Sequence, residues 1–284
     1  MTTKNAKALA AILLLAVCAA CGPKGGDAVR HDHLGLTPFH TAARNGDVET
    51  VKEHLESGVP PDVRDEDGNT ALHRAARDGK LTIAQILLER RADANALTGT
   101  GWSPMHLAIK NKRDAIVELL LRFNADPNLA NPDGVPPLHA AAHADSEAIV
   151  RYLLTEWQGW EIHERKLEDG NIQYEIVNTE MRKADINGKD GKGNTALHLV
   201  LSESNYAMAM TLIGYSPDLS LRDAQGNQPI HIAAAKAPAY IVRALIERGS
   251  DVNQKGGAGL TPYGLAYQRG DAEIAELIYS RGGR

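Results

Sequence analysis

Six histidines raise the first chemical question. His40, His73, His106, His139, His198 and His231 carry a ring that trades a proton near neutral pH and also ligates metals. A catalytic base needs one such ring beside a nucleophile, and a zinc site needs three or four ligands converging on a point. The sequence sets these six in one recurring context instead: "GLTPFHTAARNGD" from Gly35, "GNTALHRAARDGK" from Gly68 and "GVPPLHAAAHADS" from Gly134 are examples. Seven such stretches open at Gly35, Gly68, Gly101, Gly134, Gly193, Gly226 and Gly259, in steps of 33, 33, 33, 59, 33 and 33 residues. A side chain repeated once per period belongs to the stacking of repeats, because a single active site has no use for six copies along a chain. Each ring follows a helix-start residue, mostly Thr or Ser, by three positions, where it can bridge that cap and the neighbouring backbone.

Other chemistry is sparse. The His31-Asp32-His33 triplet offers two imidazoles and one carboxylate, too few for a metal site, and reads as a polar approach to the first repeat. The "DEDG" run from Asp65 has calcium-like composition without EF-hand spacing, and its recurring position makes it a turn. Phosphate-binding loops, HExxH and G-x-S-x-G are absent from the sequence, and Cys18 and Cys21 are its two cysteines. A net charge of −5 opposes broad binding to a phosphate backbone. No catalytic residue, metal, cofactor or nucleic-acid partner is expected.

The N-terminus differs from the rest. Lys4 and Lys7 precede an apolar run over residues 8–20, too short for a comfortable membrane span and typical of an export signal. Ala19-Ala20-Cys21 resembles the lipobox of bacterial lipoproteins, although Cys18 stands where Leu is usual; a plain signal cleaved nearby is the alternative. The lipobox reading makes Cys21 the lipidated first residue, with a signal peptide over 1–20, a flexible tether over 21–31 and a folded domain over 32–284. It places the protein on the periplasmic side of a bacterial membrane, the outer one being favoured. Cleavage leaves at most one cysteine, so the fold rests on packing without an intrachain disulfide.

Each repeat has the same grammar. Thr or Ser followed by Pro (Thr37-Pro38, Ser103-Pro104, Thr261-Pro262) starts a short apolar helix. After a break comes a second helix such as "TIAQILLERR", apolar at i, i+3, i+4 and i+7. Then comes "ADAN", "ADPN", "ADIN", "PDLS" or "SDVN", and a turn. Neither helix buries its apolar face alone, so neighbouring pairs must share a core. Aromatics are only 5% of residues, which leaves alanine and aliphatic side chains to fill it. Val200 and Leu201 replace two of the small residues in the fifth repeat, and packing there is expected to differ.

This grammar resembles the ankyrin repeat, whose signature includes T-P-L-H-x-A at a 33-residue period. The resemblance runs from about Asp32 to Gly283 apart from one insertion. It implies an all-α solenoid of about seven helix-turn-helix repeats with outward turn fingers. Phe39 would mark the N-terminal capping repeat and Tyr263-Gly264 the C-terminal one. The family binds proteins through finger tips and the concave face of the first helices. Carried onto this chain, that points to Arg64, Glu66, Asp67, Asn69, Arg74, Arg77, Asp78, Trp102, Lys110, Asn111 and His143. Trp102 is either an interface anchor or a side chain packed on the adjacent finger.

The 59-residue step exceeds the period by 26 residues, which fall at about 157–183 in the fourth repeat. Asp169-Gly170 or Gly170-Asn171 reads as a turn between two extended runs. Trp160, Ile162 and Leu167 precede it, and Ile172, Tyr174 and Ile176 alternate after it. A lone hairpin is marginal, so its apolar face is expected to dock on repeat four or five or on a partner. Trp157, Trp160 and Tyr174 are residue types that anchor interfaces; sealing a widened joint at Val200 and Leu201 is the alternative. The functional expectation is a monomeric, non-catalytic module that binds another protein in the bacterial envelope. Sequestering, scaffolding or protecting that partner fits, toxin immunity and support of an antioxidant enzyme included. The other readings are a structural envelope element without a tight partner, and an enzyme hosted by the insertion.

Overall fold

The computed structural model describes residues 37–166 and 172–284; the export signal, Cys21, the His31–His33 triplet, Leu167 and the turn at 169–171 lie outside them. Helices come in pairs, one pair per repeat. The first three repeats supply α1 (Pro38–Asn45), α2 (Val48–Glu56), α3 (Ala71–Asp78), α4 (Leu81–Glu89), α5 (Pro104–Lys110) and α6 (Asp114–Arg122). The fourth supplies α7 (Pro137–His143) and α8 (Glu147–Leu154), followed by β1 (Trp157–Lys166) and β2 (Ile172–Arg182). The last three supply α9 (Ala196–Ser202), α10 (Tyr206–Gly214), α11 (Pro229–Lys236), α12 (Ala239–Glu247), α13 (Pro262–Arg269) and α14 (Ala272–Ser280). The described residues divide into two compact units, residues 37–126 with 157–166 and 172–182, and residues 127–156 with 183–284.

Local chemistry explains the helix ends. Thr37 and Ser103 accept a hydrogen bond from the backbone N–H three residues on, and proline follows at the first helical position. That pairing satisfies an orphan donor and presets φ. Six of the seven first helices then stop on a left-handed residue, Gly46, Gly79 and Gly270, and in other repeats Lys112, Asp145 and Ser204 at the same register position, while the sixth ends on extended Ala237. Fully buried alanines line the first helices, Ala75, Ala76 and Ala108 in one unit and Ala141, Ala142, Ala233 and Ala234 in the other. Small side chains there let neighbouring helix axes approach. Leu72, Ile83, Leu87, Met105 and Leu120 fill the core of the first unit, and Leu138, Ile149 and Leu153 that of the second.

Where the sequence has it, the asparagine of "ADxN" joins one repeat to the next; in repeat one Asp62 takes its place and accepts from the Asp93 N–H. Asn95 Oδ1 accepts from the Asp126 N–H at 2.7 Å, while its amide donates to the Asn124 carbonyl at 3.2 Å. Asn128 makes the same pair of bonds with Asp185 and Lys183, at 2.7 and 3.3 Å. Residues 157–182 are therefore spliced out of the ladder. Within the second unit the joint beyond the insertion is bridged directly: the Gly191 N–H donates to the Gly134 carbonyl at 2.8 Å and Asn205 donates to Asp145 at 2.8 Å. Gly191 is required there, since a Cβ would lie 2.6 Å from the Asp133 carbonyl oxygen. Val200 and Leu201 are wholly buried in that joint.

The insertion is an antiparallel hairpin, with Ile162 opposite Ile176, Lys166 opposite Ile172 and a register shift between Gln158 and Trp160. Its placement differs from the docking on repeat four or five expected from sequence. β1 runs beside α6, the second helix of repeat three, and the Arg122 guanidinium lies 5.8 Å from the Trp157 ring centroid. A planar cation over an indole ring is a favourable contact at that join.

Candidate functional site

The histidines take the structural role first. His40 receives the Thr37 hydroxyl at 2.7 Å on Nδ1 and donates from Nε2 to the Val63 carbonyl at 3.0 Å. His73 accepts from the Thr70 N–H at 3.1 Å and donates to Ala96 at 3.0 Å and Trp102 at 3.0 Å. His139, His198 and His231 reach Asn194, Asn227 and Gln254 in the same way, at 2.9, 3.1 and 2.9 Å. An Nδ1 that accepts a backbone N–H fixes the neutral Nε2–H tautomer. Burial pushes His73 down to about 4, and burial likewise lowers His40, His139, His198 and His231. In His40, His73, His198 and His231 both ring nitrogens are taken by the fold, whereas His139 is tied through Nε2 alone.

The fingers are closed by side chains that accept from their own turn. Asp65 Oδ1 accepts from the Asp67 N–H at 3.1 Å and the Asn69 N–H at 2.8 Å. Asn131, Asp190 and Asp223 do the same, and the Thr98 hydroxyl substitutes for them in repeat three. The second oxygen of Asp65 takes Arg74 through Nε at 2.9 Å and Nη2 at 2.5 Å. Burial raises the Asp65 carboxyl, but the bonds from Arg74 and Asn69 outweigh it and hold the group below its ordinary value. A carboxylate so occupied is no calcium ligand.

The sequence-derived binding residues now separate. Arg74, expected at the partner surface, is buried at 7% exposure, because its guanidinium ties Asp65 and Asp67 together inside the finger. Glu66 and Asp67 stay exposed at the finger tip. Arg64 is exposed yet serves as a strut, donating to the Gly68 and Leu97 carbonyls at 2.7 and 2.5 Å. Lys189 and Arg222 repeat that strut to the following finger in the second unit. This cation position escaped the sequence reading, although its recurrence in three repeats was the available signal. Trp102 is half-buried, edge-on to His106 at 6.0 Å between centroids, with the Lys110 ammonium 5.4 Å over its ring. Arg77 and Asp78 pair with each other at 3.2 Å. Asn111 is exposed and bonds the Leu107 carbonyl, and exposed His143 meets Glu203 at 2.7 Å in the second unit. Trp157 is held by Arg122 as described, whereas Trp160 and Tyr174 are placed by register opposite Asn178 and Glu164.

Three tyrosines also escaped the sequence reading. Tyr240, Tyr267 and Tyr279 are 52%, 71% and 61% exposed. Tyr267 occupies the position of Ala43, Ala76 and Ala142, which are fully buried in their own repeats; that register was the signal. Among the described residues no three metal-ligating side chains converge, and no helix is long and apolar enough to cross a membrane.

Helix pairs locked by buried polar ladders, with exposed turns and first-helix ends, define a repeat scaffold. The ankyrin-repeat family, described as "Ankyrin repeats (3 copies)", matches residues 4–98, 90–166 and 168–256, and the chain belongs to that family. Its structure is similar to the ankyrin repeat domain of Bcl-3, described as a unique member of the IkappaB protein family. The TM-score is 0.70 at 23% identity, covering 86% of this chain and 99% of that one. It is also similar to the human ASB11 ankyrin repeat domain, with a TM-score of 0.61 at 19% identity over 88% and 99%. At such identities the likeness is one of fold. A sequence comparison with curated proteins finds no significant match. Ankyrin repeats generally mediate protein–protein interaction.

Proposed function

We propose that this protein is a non-catalytic binding module held in the bacterial cell envelope by a lipid on Cys21, where it sequesters, scaffolds or protects another protein. The observation that carries the binding part is the first unit's exposed edge. There Trp102 and Lys110 stack beside exposed Asn111, while the buried polar groups around them are consumed by the fold. A half-buried indole with a cation above it matches the residue types that dominate interface energetics. The envelope part rests on Lys4, Lys7, the apolar run and Ala19-Ala20-Cys21. Toxin immunity and support of an antioxidant enzyme are two forms this protection would take.

Crosslinking in cells, followed by purification through the folded domain, tests the binding reading. One dominant partner is expected, and its yield should fall with Trp102→Ala while the melting temperature changes little. Recovery of no partner would leave a structural element. Labelled fatty acid should enter the wild type and not Cys21→Ser; an unlabelled, soluble chain retaining residue 1 would end the envelope reading.

A further inference from the structure

We propose that the helix-turn edge of the first unit binds an acidic, extended polypeptide segment of the partner. This deepens the protein-binding reading above and rests on it. The edge consists of the turns that join first to second helices in repeats one to three, residues 44–47, 77–80 and 110–113. They hold six cations, Arg44, Arg77, Lys80, Lys110, Lys112 and Arg113, against two carboxylates. Both carboxylates are engaged at home: Asp47 accepts from the Thr50 N–H at 3.1 Å and the Thr50 hydroxyl at 2.6 Å, and Asp78 pairs with Arg77 at 3.2 Å. Arg44, Lys80 and Lys112 have no ion-pair partner among the described residues.

The three turns form one strip because each reaches back over the last. Lys80 lies across Gly46, where a Cβ would stand 3.3 Å from its Cδ. Arg113 lies across Gly79 and donates from Nε to the Arg77 carbonyl at 3.4 Å. Lys110 sits over Trp102, which adds an apolar shelf beside the charges. The corresponding turns of the second unit, residues 143–146, 202–205, 235–238 and 268–271, carry only Lys236 and Arg269 against Asp145, Glu203 and Asp271. Arg269 is paired with Asp271 at 3.2 Å.

Charge complementarity selects the occupant. The chain as a whole is at −5, so an anionic segment is repelled by its average surface and drawn to this strip, which fixes where it lands. Spacing selects the conformation. Packed helices stand about 8–10 Å apart, and an extended chain advances about 3.3 Å per residue, so a carboxylate at roughly every third residue meets successive turns. Single-file cations suit an extended peptide better than a membrane plane, and the net acidity disfavours nucleic acid.

The test uses purified full-length protein and a fluorescein-labelled decaglutamate peptide, followed by anisotropy at 50 and 300 mM salt. Binding at low salt, weakened about tenfold or more at high salt, is expected. Lys80→Glu/Lys110→Glu/Lys112→Glu should lower affinity about tenfold or more, while Lys192→Glu on a second-unit finger should change it less than about twofold. The single exposed change Lys112→Glu, a few-fold loss, serves if the triple variant melts early. Absence of peptide binding at 50 mM salt, or equal binding by the reversed variants, overturns the proposal. So does flotation with vesicles rich in phosphatidylglycerol without peptide binding, which would make the strip a membrane contact. If the crosslinked partner is still captured by the triple variant, the acidic-segment inference fails while the binding reading stands.

Discussion

Imidazole recurs at one position because it accepts at one nitrogen and donates at the other, joining a helix cap to the next turn in one stroke. His139 shows what happens when half of that is removed. Its repeat has Pro136 in the cap position, which offers neither a hydroxyl nor an N–H, and the buried Nδ1 of His139 has no partner among the described residues. Pro136 sits at φ −68° and ψ 158°, close to the φ −79° and ψ 164° of Thr195, so threonine fits the backbone. Pro136→Thr is expected to raise stability by about 1 kcal/mol. The restored cap and the satisfied nitrogen outweigh the proline's entropic contribution. Thermal melting checks this, and a lowered midpoint would show that the ring's Nδ1 needs no donor.

Secondary elements of the fourth repeat meet the ladder on both sides of the inserted strands. Asn128 bonds Asp185 and Lys183 directly, and the Ala184 N–H donates to the Leu153 carbonyl at 2.7 Å. The second unit is therefore closed on both sides of the hairpin by residues outside it. Replacing residues 158–182 with a short Gly-Ser connection should leave a cooperatively folded protein, its midpoint lowered by less than about 5 °C, or roughly 2 kcal/mol. A much larger drop in a circular-dichroism melt would assign the hairpin a sealing role. Loss of the crosslinked partner with the fold intact would assign it a binding one. The strands themselves were legible as alternating apolar residues flanking a turn signal. Their place beside α6 was not, because it involves contacts between distant residues, such as Arg122 with Trp157 across 35 residues of chain.

At the scale of the molecule the buried rings make stability depend on pH. The folded-state pKa values of His40, His73, His139, His198 and His231 lie below the ordinary 6.5. The unfolded chain therefore binds protons first as pH falls, and unfolding becomes easier. Their contribution is complete above about pH 6.5 and is lost below it, for His73 down to its folded value of about 4. His73 alone accounts for about 2 kcal/mol at pH 5 by linkage. The melting midpoint should fall by at least about 5 °C between pH 7.5 and pH 5. His73→Gln, less stable throughout, should show a shallower slope; an identical slope would mean that this ring does not carry the effect.

Repeat number, helix pairing, the stacking role of the histidines and the inserted hairpin were all written in local spacing. A 33-residue period and a Thr-Pro helix start repeat the same short-range chemistry and need no distant partner to be read. What folding decided were the meetings between residues that no period announces. Arg74 looked like an exposed cation on a first helix, and only the closed finger shows it buried against Asp65. Tyr267 follows the pattern of an alanine, and its exposure depends on what packs against it. The cations of the helix-turn edge are scattered singly along the chain; they become one strip because stacking brings Lys80 over Gly46 and Arg113 over Gly79. Local propensity acts over a few residues, whereas burial and charge density are properties of neighbours in space.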